Sequence, residues 1–212
     1  MSEQLTLFSH RSNSLPVEEQ LNLDHSDIRL YRNFFDEAAS NHLLETLTQE
    51  INWRQEYIKI HGNPHPIPRL TAWHGDEGSS YSYSGIEMNP EPWTDTLRFI
   101  KQAMETVAQV KFNSVLLNFY RDGNDSVGWH SDNELELGNY PVIGSLSLGG
   151  TRKFSFKPKQ KARSFDKHDV DLSNGDVLLM QGETQQYWYH QIPKTKKSVA
   201  PRINLTFRVI YI

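Results

Sequence analysis

Residues 202–208 read Arg-Ile-Asn-Leu-Thr-Phe-Arg, a strict alternation of polar and apolar side chains. This period of two predicts a β-strand, because successive side chains of a strand point to opposite faces. The apolar face suits a core and carries Ile203, Leu205, Phe207 and Val209, while the polar face carries Arg202, Asn204, Thr206 and Arg208. An edge strand with a solvated polar face would give the same pattern. Two arginine forks interleaved with hydrogen-bonding side chains also match a dicarboxylate, which favours a binding face.

Strand patterns dominate the chain from Ser114 onward. The segments SVLLNFY, VIGSLSLG, RKFSFK, HDVDLS, DVLLMQG and QYWYHQ are short, rich in β-branched or aromatic residues, and separated by turn residues. Asn174-Gly175 lies between two of them and predicts a hairpin. Seven or eight such strands predict a mainly β fold with flanking α-helices, a double-stranded β-helix or jelly roll.

Two helices are predicted before this strand-rich half. Asp36 is a suitable N-cap for a helix with Leu43, Leu44, Leu47 and Ile51 at helical spacing, and a second helix follows Pro92. The residues between the two helices read as loops and short hairpins. Residues 1–26 are polar and unpatterned, so we expect a flexible N-terminal arm followed by a single domain over 27–212.

An H-x-D pair and a distant histidine form a candidate metal site. His130 and Asp132 lie in VGWHSDNE, and His190 lies in YWYHQIP. Two imidazoles and one carboxylate can bind one face of Fe(II) and leave positions open for a cosubstrate and O2. H-x-D alone is a weak signal, but a metal triad and a dicarboxylate clamp in one chain are much more specific together.

Several segments in order resemble one enzyme family. LNFYRDGNDSVGWHSDNE, WYHQIP and APRINLTFR are similar to the AlkB family of Fe(II) and 2-oxoglutarate dioxygenases, which remove alkyl groups from nucleobases. The resemblance runs from about Ile58 to Ile212 and is closest to the branch of the human second AlkB homologue, which repairs double-stranded DNA. It implies a jelly-roll core over about 112–212 and a nucleotide-recognition segment over about 55–91.

The resemblance also implies a role for each matching residue. The metal ligands and catalytic centre would be His130, Asp132 and His190, and the cosubstrate 2-oxoglutarate would be bound by Asn118, Tyr120, Arg202, Asn204, Thr206 and Arg208. The flipped base would meet Arg69, Tyr81, Ser82, Tyr83, Asn133 and Glu134, with Tyr83 stacking on it opposite His130. A finger at Ile60, His61 and Gly62 would enter the base stack. The implied reaction is oxidative demethylation of N1-methyladenine or N3-methylcytosine, which releases formaldehyde, succinate and CO2.

Two residues depart from that branch. His61 stands where a phenylalanine is expected at the finger, and imidazole is smaller and more polar, which weakens the expectation of a duplex substrate. Asn133 replaces an aspartate often found after the metal-binding Asp132. This replacement weakens the negative field on a cationic lesion, although the amide can still form hydrogen bonds.

Charge is distributed unevenly along the chain. The net charge is −4, but residues 1–150 carry 10 Lys and Arg against 21 Asp and Glu, and residues 151–212 carry 12 against 5. In an AlkB-like barrel, Lys157, Lys159, Lys161 and Arg163 would lie in a loop near the cavity and could contact phosphates. A solvated loop is the alternative interpretation.

Composition limits the remaining functions. The chain has no cysteine, which excludes disulfides and thiolate-bound metal clusters. No membrane span or secretory signal is evident, and we expect a monomer in the cytoplasm or nucleoid of a bacterium or the nucleus of a eukaryote. Alkylated DNA is the expected partner. Alternatives are an RNA or single-strand demethylase, a protein or small-molecule hydroxylase, which the Tyr81–Tyr83 segment disfavours, and a non-catalytic jelly-roll binding module.

Overall fold

The computed structural model describes residues 17–60, 62–78, 81–83, 86–88, 90–160 and 167–211, and for residues 17, 60, 81–83 and 86–88 it describes the backbone alone. The helices are α1 (Glu37–Glu50), α2 (Asp95–Ala108) and the short α3 (Thr184–Tyr187), with a 3-10 turn at Leu135–Leu137. The strands are β1 (Val17–Leu21), β2 (Asp27–Arg32), β3 (Tyr57–Ile60), β4 (Asn63–Pro66), β5 (Leu70–Gly75), β6 (Tyr81–Tyr83), β7 (Ile86–Met88), β8 (Ser114–Tyr120), β9 (Val127–His130), β10 (Ile143–Gly149), β11 (Arg152–Pro158), β12 (His168–Leu172), β13 (Val177–Gln181), β14 (Trp188–Ile192) and β15 (Arg202–Arg208).

Two antiparallel sheets form the core of the fold. The major sheet has the order β1-β2-β13-β10-β15-β8-β5, and the minor sheet has the order β12-β11-β14-β9. From β8 to β15 the chain passes back and forth between the two sheets, with β11 and β12 as the one consecutive pair in the same sheet, as in a jelly roll. The mainly β fold with flanking helices is therefore confirmed. None of the helices in the described part of the chain is long and apolar enough to cross a membrane.

Strand β15 lies in the middle of the major sheet, between β10 and β8. All seven of its residues are buried. Ile203, Leu205 and Phe207 pack into the apolar layer between the sheet and the two long helices. The polar residues of the strand face the other way, toward the minor sheet. An edge strand is thus excluded, and the polar face lies in the space that the two sheets enclose.

Both long helices begin at capped residues. The Asp36 carboxylate accepts a hydrogen bond from the Ala39 amide at 2.8 Å, and this confirms the predicted N-cap of α1. Thr94 caps α2 through the Leu97 amide. Leu43 and Leu47 of α1 are fully buried against the sheet. Truncation of either leucine to alanine would cost about 2–5 kcal/mol of stability, as is typical of buried leucines.

The Asn174-Gly175 turn joins the two sheets, so the predicted hairpin is wrong. Strand β12 before the turn pairs with β11 in the minor sheet, and β13 after it pairs with β10 and β2 in the major sheet. Gly175 has φ of +84°, and a Cβ there would lie 2.2 Å from the Phe35 carbonyl oxygen. An Asn-Gly turn closes a hairpin in many proteins, but in this fold it carries the chain from one sheet to the other.

The predicted N-terminal arm is wrong from residue 17 onward. Val17–Leu21 forms β1, which pairs along its whole length with β2 at the edge of the major sheet. The strand VEEQL lacks a clear alternation of polar and apolar residues, because an edge strand with exposed side chains needs none. Residues 1–16 lie outside the described residues.

Candidate active site

The three candidate metal ligands come together where β14 pairs with β9, the edge strand of the minor sheet. His130 ends β9 and lies directly opposite His190 of β14 in the strand register. Asp132 follows two residues after His130, and one ligand atom from each of the three lies within 4.8 Å of the others. Asp132 and His190 are buried, whereas His130 is partly exposed. The H-x-D pair and the distant histidine therefore form one cluster that can hold a metal ion.

The two imidazoles are oriented for metal binding. His130 Nδ1 lies 2.8 Å from the Gly128 carbonyl oxygen, which can only accept, so Nδ1 carries the hydrogen and Nε2 is left as the ligand atom. His190 Nε2 lies 3.7 Å from the Asp132 carboxylate. Burial, together with the nearby charge of His130, lowers the pKa of His190 to about 3, so this imidazole is neutral at physiological pH. Neutral imidazole is the form that binds a metal.

Arg208 ion-pairs with the candidate ligand Asp132. Its Nη2 donates to Asp132 Oδ1 at 2.7 Å, and both side chains are buried. Burial by itself would raise the pKa of Asp132, but the charges of Arg208, His190 and His130 outweigh it and lower the pKa to about 2. The carboxylate is therefore ionised and available to a cation. Arg208 contacts the metal cluster itself, which sequence reasoning did not predict.

Gln185 was also missed by sequence reasoning. Its side-chain Oε1 accepts a hydrogen bond from the backbone amide of Asp132 at 2.9 Å. Gln185 is buried on α3, the short helix directly before the strand that carries His190. It thereby ties the loop of one ligand to the strand of another. No local signal marks this residue, because the contact spans 53 positions of the chain.

Arg202 is the residue of the cavity best suited to bind a carboxylate. It is buried, and its Nη2 donates to Ser147 Oγ at 2.8 Å. Its Nε and Nη1 are buried without a hydrogen-bond partner among the described residues. Burial lowers the pKa of Arg202 to about 10, so the guanidinium stays charged at neutral pH. No carboxylate of the described ranges pairs with Arg202, and a carboxylate of 2-oxoglutarate could accept hydrogen bonds from Nε and Nη1 and balance the charge.

The other predicted cosubstrate residues lie around the same cavity and make contacts within the protein. Tyr120 places its ring 5.2 Å from the Arg202 guanidinium. Asn204 Nδ2 donates to Ser145 Oγ, and Thr206 donates to the Asn204 amide oxygen. The cavity is lined by Asn118, Tyr120, Arg202, Asn204, Thr206 and Arg208, by the three candidate metal ligands, and by Arg69. Arg69 Nε donates to Asn118 Oδ1 at 2.6 Å, so Arg69 reaches this cavity as well.

The predicted base-binding residues are only partly described. Glu134 is half-buried, and its Oε2 is buried without a hydrogen-bond partner among the described residues. Asn133 is exposed, and its amide oxygen accepts from Ser131. The two segments predicted as short hairpins are hairpins: β3 pairs with β4, and β6 pairs with β7.

Several predicted base-binding side chains lie outside the described residues. His61 lies outside the described residues, between Ile60 at the end of β3 and Gly62, which has φ of +83°. Tyr81, Ser82 and Tyr83 form β6, and their side chains are likewise outside the description. Their roles remain predictions.

The predicted basic loop begins later than expected. Lys157 belongs to β11, because the strand extends to Pro158 and pairs Lys157 with Tyr189. Lys159 follows the strand, and its amide donates to the Tyr187 carbonyl oxygen. Lys161 and Arg163 lie outside the described residues.

Comparisons with known proteins agree with this site. The family model described as the 2OG-Fe(II) oxygenase superfamily matches residues 27–208. A mouse protein named alpha-ketoglutarate-dependent dioxygenase alkB homolog 3 is 41% identical over 193 residues, which are 88% of this chain and 67% of that protein. Human DNA oxidative demethylase ALKBH2 is 35% identical over 188 residues, 85% of this chain and 72% of that protein. The chain thus spans about two thirds of the length of these relatives, and its identity is higher to homolog 3 than to ALKBH2.

Solved structures show the same fold. The structure of OsALKBH1 superimposes with a TM-score of 0.61 at 18% identity, covering 91% of this chain and all of that one. A 2OG-Fe(II) oxygenase family oxidoreductase from Burkholderia pseudomallei gives a TM-score of 0.54 at 11% identity over 85% of this chain and 84% of that one. The ligand cluster and Arg202 fit Fe(II) and 2-oxoglutarate, with O2 as the second substrate. The chain belongs to the 2OG-Fe(II) oxygenase superfamily and, within it, to the AlkB homologues.

Proposed function

We propose that this chain is a DNA oxidative demethylase that removes methyl groups from base nitrogens, with N1-methyladenine and N3-methylcytosine as substrates. The observation that carries the proposal is that one cavity contains both the His130, Asp132 and His190 cluster and the Arg202 nitrogens Nε and Nη1, for which the described part of the chain offers no acceptor. Relatives at 35% identity bear the name DNA oxidative demethylase. That name supports nucleic acid as the substrate.

Different residues of the cavity would bind the metal and the cosubstrate. His130, Asp132 and His190 would hold Fe(II), and Arg202 would pair with one carboxylate of 2-oxoglutarate. Iron, 2-oxoglutarate and O2 together supply the oxidising chemistry, which converts the N-methyl carbon to formaldehyde and yields succinate and CO2. Arg208 keeps Asp132 ionised, and Gln185 fixes the backbone of Asp132. The chain itself provides position, charge and exclusion of water.

Glu134 is suited to recognise a cationic base. N1-methyladenine and N3-methylcytosine carry a positive charge, and Oε2 of Glu134, two residues after Asp132, is buried with no hydrogen-bond partner in the described ranges. A carboxylate in that position favours a cation over a neutral base. The target base must be turned out of the duplex to reach the cavity, which costs a few kcal/mol. Tyr83 and the Ile60–Gly62 finger are the residues expected to hold the base and fill its place.

The test is direct product analysis with defined oligonucleotides. Iron-loaded protein is incubated with 2-oxoglutarate and matched single- and double-stranded DNA and RNA oligonucleotides that carry one methylated base, and formaldehyde and succinate are measured. We expect equimolar formaldehyde and succinate with methylated DNA. Succinate without formaldehyde on any oligonucleotide would overturn the proposal and favour a hydroxylase of proteins or small molecules. Formaldehyde from RNA alone would reassign the substrate.

A further inference from the structure

The outer face of the minor sheet carries two aromatic rings flanked by two lysines. Trp129 of β9 and Tyr189 of β14 each precede a metal-ligand histidine by one residue, so their side chains point away from the cavity. The Lys157 ammonium lies 4.5 Å from the Trp129 ring centroid and 5.5 Å from that of Tyr189. The Lys159 ammonium lies 5.1 Å from the Tyr189 ring. We call these four residues the outer strip; all are partly exposed.

The lysines of the outer strip lack the acidic partners that other lysines of this sheet have. Lys153 lies on the same strand and the same face as Lys157, and it ion-pairs with Asp169 and Asp171. Lys157 and Lys159 form no ion pair with any carboxylate in the described part of the chain. Burial lowers the pKa of Lys159, so its ammonium is partly desolvated without a counterion. Such a cation is better stabilised when a phosphate reaches it.

The outer strip begins next to the catalytic centre. Trp129 is the residue before His130, and Tyr189 is the residue before His190. Lys157 lies opposite Tyr189 in the strand register, and the residue before it, Phe156, lies opposite His190. A strand whose target base enters the cavity therefore has neighbouring nucleotides within reach of these residues.

We propose that the outer strip binds a single-stranded segment next to the target base, with phosphates on Lys157 and Lys159 and a base stacked on Trp129. This inference rests on the proposed nucleic-acid function and names a second contact surface for the same substrate. Rings with flanking cations are the features that bind single strands without sequence preference, because every base has a face that can stack. The rings also hold the lysines in place through cation–π contacts, which reduces the entropy lost when a phosphate binds.

The test measures binding of an unmodified, fluorescently labelled single-stranded oligonucleotide by anisotropy at several salt concentrations. We expect Trp129→Ala to weaken binding by about fivefold or more, the lower end for loss of one base–aromatic stack. Lys157→Ala and Lys159→Ala should each reduce the slope of log K against log salt by about 0.7, the value for one phosphate contact on a single strand. Lys153→Ala is the matched control, since its charge is already paired, and it should leave the slope nearly unchanged.

The outcomes separate this inference from the proposed function. The inference would be overturned if Trp129→Ala and both lysine variants bind the oligonucleotide with the affinity and the salt slope of the wild type. This holds whether or not the wild type demethylates DNA. An equal effect of Lys153→Ala would also overturn it, because that result indicates a general charge effect. A wild type that releases no formaldehyde from any methylated oligonucleotide would instead refute the proposed function. Circular dichroism of each variant checks that the fold is retained.

Discussion

The Arg208 guanidinium donates to the Asp132 carboxylate, with 2.7 Å between Nη2 and Oδ1, deep between the two sheets. The two arginines on the polar face of β15 therefore have different roles. Arg208 stabilises the anionic ligand of the metal cluster, and Arg202, six residues earlier, keeps Nε and Nη1 available to a cosubstrate. One strand therefore supplies both the charge that holds the ligand ionised and the charge that fits 2-oxoglutarate.

This ion pair predicts that two ligand variants differ in stability. Both His130→Ala and Asp132→Ala should abolish cobalt(II) binding, but Asp132→Ala also breaks the buried ion pair with Arg208. Breaking a buried pair typically costs about 3–5 kcal/mol. His130 is partly exposed, and its removal should cost about 1 kcal/mol or less. Urea unfolding of the metal-free proteins measures the difference. Adding Arg208→Met to Asp132→Ala should recover stability, and equal stabilities of the two single variants would show that the pair contributes nothing.

Gln185 is expected to set metal affinity as a positioning residue. Gln185→Leu removes the acceptor of the Asp132 amide and should weaken cobalt(II) binding by about 10- to 100-fold, the range typical of outer-shell partners. Gln185→Glu retains an acceptor oxygen and should bind metal better than the leucine variant. The matched control is Gln186→Ala on the same short helix. The Gln186 side chain donates a hydrogen bond to the Asn139 carbonyl oxygen at the surface. If all three variants bind cobalt as the wild type does, Gln185 is only a packing residue.

Glu134 is expected to determine the preference for charged lesions. Glu134→Gln preserves shape and removes the negative charge. Its kcat/KM should fall roughly tenfold for N1-methyladenine, about 1.4 kcal/mol, and change little for the uncharged lesion N1-methylguanine. Competition between two oligonucleotides in one reaction gives the ratio directly. A parallel loss on both lesions would assign Glu134 a structural role.

His61 tests the predicted finger between β3 and β4. If it enters the base stack, His61→Phe should raise activity on duplex lesions and His61→Ala should lower it, since base–aromatic stacking is worth about 1–3 kcal/mol. Single strands need no such wedge, so their turnover should stay nearly constant. Demethylation rates of the His61 variants on single- and double-stranded methylated DNA, measured in parallel, test this prediction. Equal effects on both would indicate general binding, and no effect would indicate a surface loop.

The fold was predictable where the chain has strong periodicity. The alternation of Arg202–Arg208 and the Asp36 cap each have a local cause, and both elements formed as expected. Strand β1 was missed because an exposed edge strand needs no alternation. The Asn174-Gly175 turn was misinterpreted because its residues fix only the local backbone conformation. Whether the next strand returns to the same sheet depends on the packing of the whole jelly roll.

The site, like the fold, was only partly predictable from the sequence. The metal triad was predictable because its residue types and the family resemblance agree. Two contacts were not: Arg208 with Asp132, and Gln185 with the Asp132 amide. Each joins residues more than 50 positions apart, and only the packing of the folded chain brings them together.

The central claim is that one cavity binds Fe(II) through the triad and 2-oxoglutarate through Arg202. Its most direct test is an anaerobic titration of 2-oxoglutarate into iron-loaded protein, followed by the visible charge-transfer absorption of the iron–2-oxoglutarate complex. The wild type should develop this absorption at low cosubstrate concentration. Arg202→Ala should require concentrations at least about 100-fold higher, since loss of a buried charged partner costs a few kcal/mol, and Arg202→Lys should rescue poorly because it lacks the fork. A wild type without the absorption, or an Arg202→Ala titration that superimposes on it, would contradict the account.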